Sequence, residues 1–85
     1  MTTLHRLVLD VLKPHLPTGL DFARNLAELA PGYRIKYKVE EVDEKTETVT
    51  IVIEGEDIDY DAVKDAITSM GASLHSVDEV EVSNP

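Results

Sequence analysis

Residues 4 to 12, LHRLVLDVL, alternate in a period of two. His5, Leu7, Leu9 and Val11 share one face, while Arg6, Val8, Asp10 and Leu12 share the other. This predicts a first strand that ends at Lys13, because Pro14 and Pro17 can neither donate to a ladder nor continue a helix. Thr18 with Asp21 three positions on resembles a capping box and opens a helix through about Leu29, with Phe22, Ala23, Leu26, Leu29 and Ala30 as its apolar stripe and Pro31-Gly32 as its stop.

Ile35, Tyr37 and Val39 then alternate with Arg34, Lys36, Lys38 and Glu40, which predicts strand two. The polar stretch DEKTE (43 to 47) joins it as a hairpin to strand three, TVTIVIE, whose Val49, Ile51 and Ile53 share a face. Asp59 is a good N-cap for a second helix, Ile58 and Val63 stand at the two positions of a hydrophobic staple, and Tyr60, Val63, Ala66, Ile67 and Met70 form the stripe that ends at Gly71. A last strand from about Ser73 to Val82 is less regular. Ser76 and Asp78 interrupt the alternation of Leu74 and Val80, which predicts a β-bulge nearby.

The order βαββαβ, with right-handed crossovers, predicts a single ferredoxin-like domain over residues 1 to 85. It is an α+β sandwich with a four-stranded antiparallel sheet in the order 4-1-3-2 and two helices on one face. A chain of 85 residues buries only about 60 to 65% of the surface its unfolded form exposes, so the core is spare. There is no cysteine, which removes disulfides, zinc-thiolate sites and thiol nucleophiles. No apolar run reaches the ~18 residues of a membrane span and no signal-peptide pattern opens the chain, so a cytoplasmic location is expected. The net charge of −9 repels nucleic acid and anionic membranes, so neither is an expected partner.

The topology sets strand four antiparallel beside strand one, so the end of VLDVLKPH meets the start of SLHSVDEV. Asp10, on a central strand, needs a partner. Imidazoles suit Zn or Ni and carboxylates suit Ca, Mg or Mn, so Asp10, His15, His75, Asp78 and Glu79 form a candidate divalent-cation site. The same convergence also fits a purely structural role, with Asp10 paired to a basic or hydroxyl neighbour. The edge strands carry opposite charge: Arg34, Lys36 and Lys38 on strand two, and Asp78, Glu79 and Glu81 on strand four. These residues are expected to form an interface between copies, added edge to edge and head to tail, closing into a ring where the rotation permits. The apolar Val8, Leu12 and Val52, on the sheet face away from the helices, add to the case for a homo-oligomer.

Strand three has no aromatic residue for stacking RNA bases, no CxxC follows strand one, and KPHLPTG offers no arginine for an acyl-phosphate loop. No nucleophile arrangement or phosphate loop stands out, so a non-catalytic role is expected. A small-molecule-binding regulatory domain, with ligands held between subunits, is the alternative.

Four blocks, RLVLDVLKPH (6 to 15), EVDEKTETV (41 to 49), IEGEDIDYD (53 to 61) and GASLHSVDEV (71 to 80), resemble the archaeal family known only as domain of unknown function 211. The resemblance implies a ferredoxin-like fold, homo-oligomers and an archaeal cytoplasmic origin, with no established activity. It matches Asp10, Lys13, Pro14, His15, His75, Ser76, Asp78 and Glu79 to the family's pattern without attaching a role to any. The segment APGYRIKYKV departs from that pattern, so the basic strand is particular to this chain.

Overall fold

The computed structural model describes residues 1–84. The elements follow one another as β1 (Thr3–Pro14), α1 (Gly19–Ala27), β2 (Arg34–Val42), β3 (Thr46–Glu54), α2 (Tyr60–Ser69) and β4 (Ser73–Ser83). The strands form one four-stranded antiparallel sheet in the order β2-β3-β1-β4, which is the expected 4-1-3-2 read from the other edge.

Alternation in β1 and β3 decides the core. Leu7, Leu9 and Val11 pair across to Ile53, Ile51 and Val49, and all six are buried. Onto this face α1 packs Phe22 and Leu26, and α2 packs Val63 and Ile67, in one continuous cluster. Among the described residues no helix is long and apolar enough to cross a membrane.

The predicted caps are present. The Thr18 hydroxyl accepts from the Asp21 amide at 3.2 Å, and Asp59 accepts from the Ala62 amide at 3.1 Å. Ile58 and Val63 are both buried, as a staple requires. Helix α1 stops two residues short of the expected Leu29: the Glu28 amide bonds back to the carbonyls of Arg24 and Leu26, and the chain turns through Gly32 at φ +85°. Leu29 is consequently exposed instead of completing the stripe. Strand β1 runs one residue past Lys13. Pro14 pairs only with Thr46 of β3, since pairing with β4 ends at Leu12, so its missing N–H breaks no ladder on that side.

The irregularity expected in β4 is real and occurs twice. Asp10 pairs with Ser76 and Val11 with Leu74, leaving His75 over; Val8 pairs with Glu79 and Leu9 with Val77, leaving Asp78 over. The helices, of 9 and 10 residues, are about 15 Å long, whereas the 12 residues of β1 span roughly 40 Å. The sheet therefore outruns its cover, and Val77, Val80 and Val82 stay exposed along β4.

Ile51 sits at the centre of the cluster on an interior strand. Replacing it with alanine is expected to cost about 2 to 5 kcal/mol, read as a lower urea midpoint with an unchanged slope.

Candidate functional site

The structure brings Asp10 and His75 together. His75 is one of the two bulged residues, and its Nδ1 lies 3.2 Å from Asp10 Oδ2. Asp10 thus finds the partner its strand position demands, and the two line a shallow depression with Leu12 and Thr48. The other expected cation ligands are elsewhere. His15 turns toward the β2–β3 hairpin, with Nε2 3.0 Å from the carbonyls of Asp43 and Glu44. Asp78 accepts from the Ser76 hydroxyl at 2.7 Å, and Glu79 accepts from Arg6 Nε at 2.5 Å.

The structure therefore does not bring the five expected cation ligands together. Among the described residues no three His, Asp or Glu side chains converge as a metal would need. The reason is geometric. His15 lies beyond the end of β1 and faces β3's side of the sheet, while the bulges in β4 send Asp78 and His75 out of step with Glu79. Two ligands alone leave a divalent ion mostly uncoordinated.

The costly polar group is Lys13, not Asp10. Its odd number puts it on the face of Leu7, Leu9 and Val11, and its side chain is fully buried. The ammonium donates to the carbonyls of Pro14 at 2.7 Å and Pro17 at 2.5 Å, and lies 3.4 Å from Glu47 Oε1 and 5.8 Å from the centre of the Phe22 ring. Three acceptors match its three N–H groups, with the ring face a further contact. Glu47 is the direct cross-strand partner of Lys13; it also accepts from the Tyr37 hydroxyl at 3.1 Å and lies 3.6 Å from His15 Nδ1. The Tyr37 ring leans on Phe22, and a Cβ at Gly19 would come within 2.5 Å of it, so the start of α1 must be glycine for the helix to approach this closely.

This network fixes how its members titrate. Partial burial works to raise the Glu47 pKa, but hydrogen bonds from Tyr37 and Lys13, the Lys13 charge and His15 outweigh it and hold the carboxyl below its ordinary value. Burial, followed by the hydrogen bond to Glu47 and its charge, pushes the Tyr37 hydroxyl well above the usual tyrosine range, so it stays a neutral donor. Among the described residues no buried side-chain polar atom lacks a partner, and the groups of this cluster satisfy one another. It is built to tie the KPH turn, the hairpin and α1 together.

On the sheet's uncovered face, Arg6 bridges Glu54 at 3.1 Å and Glu79 at 2.5 Å. The Glu79 hydrogen bond is the leading influence that, against partial desolvation, raises the arginine's pKa. Beside it a hollow of about 270 Å3 is lined by Arg6, Arg34, Lys36, Val52 and Glu54. The expected interface residues Arg34, Lys36, Lys38, Asp78, Glu79 and Glu81 are all exposed, on the two edge strands.

The described residues thus form an α+β domain, a four-stranded antiparallel sheet with two helices packed on one face. Residues 5–84 match the family model DUF211, described as uncharacterized ArCR, and the chain belongs to that family. It is similar to the uncharacterized protein MJ0319 of the archaeon Methanocaldococcus jannaschii, with 41% identity over 80 residues, covering 94% of this chain and 82% of the relative.

Two measurements test the network. Lys13→Met, which keeps the volume but removes the charge, is expected to lower stability by about 3 kcal/mol in urea, because it leaves two carbonyls and a carboxylate without their donor. Since the folded Glu47 pKa lies below its ordinary 4.5, its contribution is complete above that pH and is lost as the pH falls through the folded value. Glu47→Gln is therefore expected to flatten the acid limb of stability against pH while leaving the neutral-to-alkaline limb parallel.

Proposed function

We propose that this chain is a non-catalytic subunit of a homo-oligomer, a ferredoxin-like sandwich whose uncovered sheet face is the surface on which copies meet. One observation carries the reading. Val8 and Val52 are cross-strand partners at the centre of that face, with Leu12 42% exposed on the same strand, and no helix covers them. Apolar residues in the middle of an open face, rimmed by charge, have the composition of an interface core and rim. The family resemblance, which implies homo-oligomers, agrees with it.

A second reading, a regulatory domain that binds a small molecule, has one observation in its favour. A cleft of about 670 Å3 lies between the α1–β2 and β3–α2 connections, lined by Tyr33, Arg34, Gly55 and Asp57 among others. The Tyr33 hydroxyl accepts from the Asp59 amide at 2.7 Å, which holds the ring in place as one wall. A metabolite screen by thermal shift separates the readings, because a ligand that binds only the folded chain raises the melting temperature in proportion to its affinity.

Light scattering at micromolar concentration is expected to give a mass that is a multiple of the 9.4 kDa chain. Smaller species are expected as salt rises, because exposed ion pairs are screened. Val52→Lys is expected to disperse the assembly without changing the circular dichroism of the subunit. A wild-type monomer under these conditions would rule the reading out.

A further inference from the structure

The cross-strand register arranges the uncovered face in rows, each running β2, β3, β1, β4. One row reads Arg34, Glu54, Arg6, Glu81 and the next Lys36, Val52, Val8, Glu79. The third reads Lys38, Thr50, Asp10, Ser76. In the first two rows the sign of charge is inverted on reflection across the midline between β3 and β1. The first runs plus, minus, plus, minus; the second runs plus, apolar, apolar, minus.

A pattern that inverts across a line is complementary to itself under a two-fold rotation about that line. We infer that a second copy of this chain docks face to face on the sheet, with the two-fold axis along the strands between β3 and β1, so that β2 of each copy lies over β4 of the other. The inference rests on the homo-oligomer reading and gives it a partner surface. In this arrangement Arg34 stands opposite the second copy's Glu81, Arg6 opposite its Glu54, Lys36 opposite its Glu79 and Val8 opposite its Val52. Three charge pairs, each repeated by the two-fold, close around an apolar centre, and in the third row Thr50 meets Asp10 and Lys38 meets Ser76 with no like charges opposed.

The other in-plane two-fold, across the strands, would set β2 over β2 and bring Arg34, Lys36 and Lys38 against their own copies. Like charges so juxtaposed cost several kcal/mol, so the sequence discriminates between the two packings. Sheets packed face to face lie about 10 Å apart with strands nearly aligned, a gap that arginine, lysine and glutamate side chains span from both sides. Four strands and nine paired positions give a flat area of roughly 19 by 30 Å, before side-chain relief, which is the order of the ~800 Å2 a standard interface buries per partner.

The edge-to-edge ring expected from sequence draws on the same charges but places them less well. Side chains on a strand stand perpendicular to the sheet. Arg34, Lys36 and Lys38 pair with Glu54, Val52 and Thr50, so they project from the open face and not outward along the edge.

Two experiments with the full chain decide the matter. Arg34→Glu and Glu81→Arg each place like charges opposite in their own dimers and are expected to weaken association by roughly tenfold or more. Neither residue takes part in an ion pair within the chain among the described residues. An equimolar mixture of the two variants restores opposite charges at both contacts and is expected to recover the wild-type mass. In the second experiment Val8→Cys introduces a lone thiol into a cysteine-free chain. Face-to-face docking puts the backbones at the two cysteines about 11 Å apart across the axis, with the thiols nearer still, whereas edge addition keeps the backbones about 19 Å apart, so a short bis-maleimide cross-links only the former. An oligomer that persists with neither rescue nor cross-link overturns the docking and leaves the homo-oligomer reading standing; a wild-type monomer overturns both.

Discussion

The period of two along β1 is the constraint on which the rest of this small protein depends. β1 lies between β3 and β4, and its odd residues face the helices while its even residues face the open side. A slip of one residue would carry Leu7, Leu9, Val11 and Lys13 out of the core and bring in Arg6 and Asp10. With a dozen buried apolar residues to set against chain entropy, nothing else in the structure could compensate. The same alternation writes the charge pattern of the open face. Core and proposed docking surface are the two parities of one strand.

At the end of the odd parity the chain places a lysine where a leucine would continue the pattern. Burying an ammonium is tolerated only when every N–H is matched, and here the acceptors come from the turn itself. Pro14 and Pro17 have no N–H of their own, and both present carbonyls to Nζ. Glu47 completes the set from β3, and Tyr37, bonded to Glu47, extends it to β2. One side chain thereby ties β1, the turn, β3 and the floor of α1. A leucine there would give similar burial but leave the two carbonyls unpaired and Glu47 without a cation. That asymmetry makes the lysine a device for fixing a loop and not merely a tolerated charge.

Most of the architecture was legible in the residues. Element order, strand order, both caps and the break in β4 all follow from alternation, Pro and Gly positions and Asx/Thr chemistry. The site was legible only in part. The pairing of Asp10 with His75 comes from topology, but placing His15 in the same corner needed the direction of the chain after Pro14, which no local pattern encodes. Lys13 and Glu47 were within reach. Lys13 has the parity of Leu9 and Val11, and Glu47 has the parity of Val49 and Ile51, so opposite charges stand on the core side of antiparallel neighbours at the same end. The even-numbered Asp10 drew attention because it interrupts an apolar run, although the face it occupies is the one that water reaches.

The charges of β2 and β4 show why a strand's place in a sheet and the direction of its side chains must be weighed separately. Edge position concerns backbone N–H and C=O groups that lie in the plane of the sheet; charge on the side chains acts along its normal. Residues of one sign on one edge strand and of the other sign on the opposite edge strand therefore give the sheet a dipole across its face, and two such dipoles attract when stacked antiparallel. That stacking is a closed, two-fold arrangement, which saturates at two copies and offers no surface for indefinite growth. Lateral addition through the same strands would instead leave each new edge open unless the copies close into a ring, and it would set the positive residues of β2 beside the negative residues of β4. In the proposed docking it is this charge, set along the normal of the sheet, that directs how copies stack face to face.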